Sequence, residues 1–242
     1  MGIQTVFERT EKKYILTISQ RNRLLEAIGK YIREDEYGES TICSLYFDTD
    51  NYQLIRNSIE KPAYKEKLRL RSYSTPKHDS NVFLELKKKY NGVVYKRRRT
   101  LKYDSAMNYI NNGVLPDDSQ IMKEIDWTMN FYKDIQPRMF IAYDRTAYYS
   151  KTDHELRITF DRNVRFRDTD LDLASGSYGE VIFDKKLCIM EIKALQAMPI
   201  WLTEILNELK IFPGSFSKYG TAYQLTQDRK KNGVYNGGKN CA

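Results

Sequence analysis

From Tyr64 to Ser72 the chain reads YKEKLRLRS. Lys65, Lys67, Arg69 and Arg71 fall on one face of a two-residue period, and Tyr64, Glu66, Leu68 and Leu70 fall on the other. A β-strand separates these two sets cleanly. A single strand of this kind is explained by a solvated outer face, as in many antiparallel sheets. The pattern recurs along the chain, however. ERTEKKYIL carries Arg9, Glu11 and Lys13 on one face, and VFLELKKKY sets Glu85, Lys87 and Lys89 against Leu84 and Leu86. IAYDRTAYY groups Tyr143, Arg145 and Ala147. ELRITFDR puts Glu155, Arg157 and Thr159 opposite Leu156, Ile158 and Phe160, and LCIMEIKA puts Glu191 and Lys193 opposite Met190 and Ile192. These strands share a face that mixes charges of both signs.

The predicted strands are 41–49, 64–73, 81–90, 93–103, 137–150, 155–167 and 186–194, after a first strand in ERTEKKYIL. Asn91-Gly92 joins two of them as a tight hairpin, so an antiparallel sheet is expected. Helical spacing of Leu24, Leu25, Ile28 and Ile32 behind Ser19 predicts a helix after the first strand. Shorter helices are expected from Asp48, Asp104 and Asp117, and another from Pro199 in the first-turn position that proline tolerates. The fold class is therefore α+β, without the strand–helix alternation of a doubly wound sheet. Two arrangements stay open. The apolar strand faces enclose one core between them, or they take the amphipathic helices and leave the charged faces lining a lumen. An empty, dry lumen of arginine and lysine is prohibitively costly, so the second arrangement requires water and a polyanion inside.

The charge balance agrees with a polyanionic partner: 40 Lys and Arg against 32 Asp and Glu give +8. No window approaches the ~20 apolar residues of a membrane span, and the opening MGIQTVFERTEKKYIL has no signal-peptide core. A cytoplasmic protein without a membrane segment is expected, which leaves room for a membrane-associated partner. Cys43, Cys188 and Cys241 have neither disulfide-framework nor zinc spacing. His78 and His154 sit in loop sequence without metal-ligand spacing and read as surface residues. The tail from 226 to 242, rich in Gly, Asn and Lys, is expected to be flexible.

In chain order, RTEKKY (R-x-E-x-K-Y), SLYFDT, KLRLRSY (R-x-R), FLELKKK (E-x-K), KRRR, YDRTAYY (Y-x-R), LRITFD, MEIKA (E-x-K) and FSKYGTAY span roughly residues 9 to 223. This series resembles the triphosphate tunnel metalloenzymes, or CYTH superfamily, and within them the VTC domain of polyphosphate polymerases. The resemblance implies one domain over 1–225, an eight-stranded antiparallel β-barrel forming a tunnel, with amphipathic helices packed outside. It implies phosphate ligands at Lys13, Arg69, Arg71, Lys87, Lys96, Arg98, Arg145, Arg157 and Lys218, with hydroxyl donors at Tyr143 and Ser217. Arg69, Arg71, Lys87, Arg145 and Arg157 would carry catalysis. Glu191, helped by Glu11 and Glu85, would hold Mn²⁺ or Mg²⁺. Phosphatase and cyclase branches begin E-x-E-x-K, whereas Arg9 stands here in place of the first Glu, which moves the reading toward the VTC branch.

These residue types suit phosphoryl transfer, which needs in-line positioning and neutralised phosphate oxygens more than covalent work. The expected reaction moves the γ-phosphoryl group of ATP to a polyphosphate chain. A triphosphatase of the same fold and a non-catalytic polyphosphate binder are the alternatives. RNA is disfavoured, since glutamates interleaved among the cations repel a nucleic-acid backbone. Arg97 and Arg99 have an ambiguous side, and a solvated hairpin edge is their plain reading. Simple lysine pairing is the plain reading of Glu85 and Glu191. Oligomeric state is not readable.

Overall fold

The computed structural model describes residues 9–153, 155–195 and 197–233. The described residues form, in order, β1 (Arg9–Thr17), α1 (Ile18–Ile28), β2 (Ile32–Asp48), α2 (Gln53–Glu60), β3 (Tyr64–Tyr73), β4 (Asn81–Tyr90), β5 (Val93–Lys102), α3 (Tyr103–Asn112), α4 (Gln120–Phe131), β6 (Gln136–Ser150), β7 (Arg157–Arg167), β8 (Glu180–Val181), β9 (Leu187–Leu195), α5 (Ile200–Glu208) and α6 (Lys218–Lys231). The strands pair in the order β1-β9-β7-β6-β2-β3-β4-β5, with β8 beside β7. The α+β class with an antiparallel sheet is as expected. Among the described residues eight strands form the hydrogen-bonded path as expected, the two-residue β8 pairs to β7 beside it, and the path ends at β1 and β5 without closing. The described residues divide into two compact units: those within 9–42, Tyr143–Val164 and Phe183–Phe216 form the first, and those within Cys43–Ala142, Arg165–Ile182 and 217–233 the second.

In the first unit, β9 lies between β1 and β7, antiparallel to both. Tyr14, Leu16, Ile158, Phe160, Met190 and Ile192 turn one face of these strands into a core, completed by Leu24 and Ile28 of α1 and Leu202 and Leu206 of α5. Helix α1 begins earlier than the Ser19 cap predicts. Thr17 accepts from the Gln20 amide at 3.1 Å while the Gln20 side chain accepts from the Thr17 amide at 3.0 Å. This reciprocal box satisfies two free helix-end donors together, which Ser19 cannot do from inside the first turn. The helix stops at Ile28, and Ile32 opens β2 instead of closing the apolar stripe.

In the second unit, β3, β4 and β5 form an antiparallel meander. Its β4–β5 turn places Asn91 at φ 45° and Gly92 at φ 90°, both left-handed, as a two-residue turn of matching twist requires. Leu68, Leu70, Val82, Leu84 and Leu86 supply the apolar face, against which Ala106 and Tyr109 of α3 and Met122 and Ile125 of α4 are buried. Helices therefore cover the apolar side of this meander. Arg97 and Arg99 also lie on the helix side: Arg97 Nε donates to Glu124 and Arg99 Nε to Asp117, each at 2.7 Å. Their ambiguity is thus resolved in favour of pairing across to α4 and the turn before it. Helix α6 was not expected from the sequence, and it runs past residue 225 to Lys231. Residues 234–242 of the expected tail, with Cys241, lie outside the described residues, as does His154.

A buried carboxylate anchors α2 and α6. Asp48 accepts from the amides of Thr49 (2.9 Å), Leu54 (2.8 Å) and Ile55 (3.0 Å) and from the Tyr219 hydroxyl (2.9 Å). Burial pushes its pKa up against these donors. Asp48→Ala strands all of them, and a loss of about 3 kcal/mol or more in urea denaturation is expected. A mutant midpoint equal to wild type would show that the carboxylate is not the anchor.

Candidate functional site

The polar face of the β3–β5 meander is set by its register. Lys67 stands opposite Lys87, which stands opposite Lys96; one step along, Arg69 faces Glu85, which faces Arg98. Glu85 is 2% exposed. Arg69 reaches it through Nε and Nη2, each at 2.7 Å, Arg98 through Nε at 2.6 Å, and Lys96 through Nζ at 2.8 Å. Burial pushes the carboxyl pKa up, but Arg69, Arg71 and Lys96 overcome this and hold it well below the usual carboxylate range. Burial also lowers the Lys96 pKa, against the pull of Glu85. Arg71, largely buried, lies opposite Phe83 one further step along.

Tyr46 of β2 completes this group. Arg69 Nη1 donates to its hydroxyl at 3.1 Å, and its ring stacks on Tyr219 with centroids 4.7 Å apart. Burial raises the phenol, yet Arg69, Arg71 and Lys67 bring it down to about 8. The sequence offered SLYFDT only as a motif. A tyrosine on a strand beside an alternating-cation strand was the signal that would have singled it out. Ser217 caps α6, accepting from the Gly220 amide at 3.1 Å and from Lys67 Nζ at 3.3 Å. Lys218 opens the same helix.

In the first unit, Lys13 pairs in register with Glu191, and Glu11 with Lys193. The four side chains interlock: Lys193 lies 3.0 Å from Glu191 and 3.7 Å from Glu11, and Lys13 lies 3.8 Å from each carboxylate. Burial raises the Glu191 pKa, but Lys193, Lys13 and Arg145 hold it below the usual carboxylate range. Thr159 stands opposite Glu191 on β7, and its hydroxyl is buried with no hydrogen-bond partner among the described residues. Arg145 is held elsewhere, in a two-pronged pair with Asp161 at 2.6 and 2.8 Å, and it lies over the buried ring of Tyr143 at 5.1 Å. Arg157 lies over Tyr149 at 5.0 Å and 3.7 Å from Asp35.

The predicted residues thus fall into distinct groups. Arg69, Lys96 and Arg98 meet on Glu85, and Lys13, Glu11 and Glu191 meet each other. Arg145 and Arg157 have carboxylate partners, Asp161 and Asp35, that the sequence reading did not assign. Among the described residues no cluster of three or more His, Cys, Asp or Glu side chains is arranged for a metal. Glu191 and Glu11 offer two carboxylates bridged by shared lysines. That donor set fits a hard divalent cation that completes its shell with water and phosphate oxygens. Glu85 fits less well, because Arg69, Arg98 and Lys96 hold its oxygens at 2.6–2.8 Å, whereas the lysines stand 3.0–3.8 Å from Glu191 and Glu11. His78 is a surface residue as expected, paired with Asp104 at 2.9 Å.

Residues 8–227 match the family model of the VTC domain. Among solved structures, a candidate adenylate cyclase from Bacillus halodurans is 14% identical over 86% of this chain and 92% of that one, at a TM-score of 0.54. A candidate adenylyl cyclase from Hippeastrum, described with a dominant triphosphatase activity, is 16% identical over 90% of this chain and 96% of that one, at 0.53. At such identities the likeness is one of fold.

Two expectations follow from the geometry. Glu85→Gln leaves three cations without their anion and is expected to destabilise the chain by about 3–5 kcal/mol in urea melts; a change below ~1 kcal/mol would make the cluster a solvated one. Tyr46 has a folded-state pKa below its ordinary value of 10, at about 8. The stability it contributes is therefore fully present above pH 10 and lost as pH falls through about 8. Ultraviolet titration should show one phenol ionising near pH 8 that disappears in Tyr46→Phe.

Proposed function

The chain belongs to the VTC-domain family, and from that premise we propose that it is a metal-dependent phosphotransferase moving the γ-phosphoryl group of ATP to a polyphosphate chain. The observation that carries this reading is the charge imbalance of the β3–β5 face. There Lys65, Lys67, Arg69, Arg71, Lys87, Lys89, Lys96 and Arg98 occupy aligned rungs with Glu85 as the one carboxylate on those rungs. A phosphate-rich substrate suits a face on which cations outnumber carboxylates in this way.

The residues divide the work. Arg69 and Arg98, oriented by Glu85, present guanidinium forks that hold phosphate oxygens in fixed directions, and Arg71 adds charge where it builds up in the transition state. Lys87 and Lys96 act as point charges on the phosphates, and Ser217 and Lys218 bind at the start of α6. Within the first unit, Lys13, Arg145, Arg157 and the Tyr143 hydroxyl are the candidate phosphate ligands. Glu191 with Glu11 would hold Mn²⁺ or Mg²⁺, which when bound neutralises phosphate oxygens and orients them for in-line transfer. The acceptor decides the outcome, since a phosphate chain gives polymer and water gives hydrolysis. A fold shared with a protein of dominant triphosphatase activity supports hydrolysis as the second reading, and a binder without turnover is the third. Among the described residues no helix is long and apolar enough to cross a membrane.

Purified protein incubated with ATP and Mn²⁺, with products resolved by chain length, tests the reading. Chains longer than the substrate's are expected; orthophosphate alone would favour the triphosphatase, and bound polyphosphate without product the binder. Arg71→Ala should lower turnover by about 10²-fold or more, whereas Glu191→Gln should weaken the dependence on metal concentration.

A further inference from the structure

The β4–β5 hairpin continues past the core of its unit into open surface. Its last rungs pair Tyr90 with Val93 and Lys89 with Val94, and the next pairs Lys88 with Tyr95. Tyr90, Val93, Val94 and Tyr95 are 46–55% exposed. Val93 and Val94 point to opposite faces of the strand, so the end of the hairpin is uncovered on both sides. Cations flank it: Lys87, Lys88 and Lys89 precede the turn and Lys96, Arg97, Arg98 and Arg99 follow Tyr95, with no carboxylate from 87 to 99. Helix α4 adds to the same end. Arg97 pairs with Glu124, and Lys88 Nζ lies over the Trp127 ring at 5.6 Å, so the helix runs toward the turn. Phe131 stacks on Trp127 one helical turn further along, at 5.1 Å, and the two side chains are 60% and 59% exposed. Met122 and Ile125 already fill the core against α4, which leaves these two rings without a packing role there.

We propose that the β4–β5 turn, with Trp127 and Phe131 beside it, docks the chain on the surface of a bilayer containing anionic phospholipid. Tyr90 and Val93 stand two rungs, about 7 Å at the rise of a strand, beyond Lys88 and Tyr95. Interfacial segments reach to that depth below the headgroups. The valines enter the acyl boundary, Tyr90, Tyr95 and Trp127 take the headgroup level that amphipathic rings favour, and Lys61 and Lys88 meet lipid phosphates. Lys61 lies at this end because Ala63, two residues on, accepts from the Asn91 amide at 2.9 Å. A net charge of +8 draws the chain toward anionic lipid. None of these residues is among those assigned to phosphate above. A second copy fits less well, because a two-fold contact sets the cationic flanks of two hairpins against each other. RNA also fits less well: Phe131 and Lys88 already contact the Trp127 ring, and the valines offer no ring on which a base could stack.

The test is co-sedimentation of the full chain with vesicles of phosphatidylcholine alone, or of phosphatidylcholine with phosphatidylglycerol, at about 50 and about 200 mM salt, read together with tryptophan emission. Wild type is expected to partition onto the anionic vesicles about 10-fold or more above the neutral ones, less so at the higher salt, with a blue shift of its emission. Val93→Ser/Val94→Ser should cut that partitioning roughly 10-fold. Lys61→Gln/Lys88→Gln should do the same on anionic vesicles at the lower salt, and His78→Ala should match wild type. Trp127→Phe should still bind but lose the blue shift, because the other tryptophan, Trp201, is stacked on Tyr31 at 4.1 Å. No vesicle binding by wild type, a blue shift that persists in Trp127→Phe, or binding that survives the valine substitutions and is competed away by tripolyphosphate would overturn the contact. So would valine substitutions that dissolve a dimer or abolish binding of single-stranded RNA while vesicle binding stays unchanged.

Discussion

Glu85 holds the meander together by standing between cations that cannot otherwise stand side by side. A carboxylate sealed from water costs several kcal/mol unless it is paired, and the guanidinium groups of Arg69 and Arg98, which flank it on the same rung, repel each other without it. Each cost is offset only by the other. The arrangement also fixes register. A slip of one residue on β4 would bring Leu84 or Leu86 between the arginines and drive Glu85 into the core beneath α3 and α4. Charge on one face and hydrocarbon on the other therefore select the same alignment of β3, β4 and β5.

The parts of the fold that could be read from sequence are those in which neighbouring residues carry the whole signal. β3 and β4 have the bounds that alternation predicts, and Asn91-Gly92 turns the chain where two left-handed residues are required. Other parts depend on partners far away in the chain. The first half of β2, IREDEYGES, has no apolar alternation and is a strand because of what it pairs with. Ile32 continued the stripe of α1 by spacing alone, but the capping box at Thr17 and Gln20 shifts the helix toward its N-terminal side. Helix α6 has little amphipathic pattern, and its buried residues, Tyr219, Gly220, Ala222 and Thr226, mix polar and small side chains that no periodicity isolates.

Candidate ligands were easier to find than their partners. Alternation placed Arg69, Lys87, Lys96 and Arg98 on one side of the meander correctly, because a two-residue period fixes the side. It could not show that Glu85 would be saturated by cations, that Asp161 would clamp Arg145, or that Asp117 and Glu124 would draw Arg97 and Arg99 to the helix side. Each of these follows from residues between 13 and 27 positions apart meeting in space. Tyr46 was overlooked for a related reason. Its chemistry comes from three cations on the adjacent strand rather than from anything in its own segment.

The pairing of β1 with β9 joins Arg9 to Leu195, so its two strands come from opposite ends of a long stretch of chain. The meander needs only short turns, so its strands can meet as soon as they exist, whereas β1 must wait for most of the polypeptide before its partner is available. Closing so long a loop carries a larger entropic penalty and makes this ladder a late event in folding. Through that interval β1 is an unpaired edge. Its density of charge, with Glu11, Lys12 and Lys13 in succession, discourages edge-to-edge association between chains during the wait. Glu11 and Lys13, which interlock with Glu191 and Lys193 in the finished sheet, thus protect the nascent strand before those residues have been synthesised.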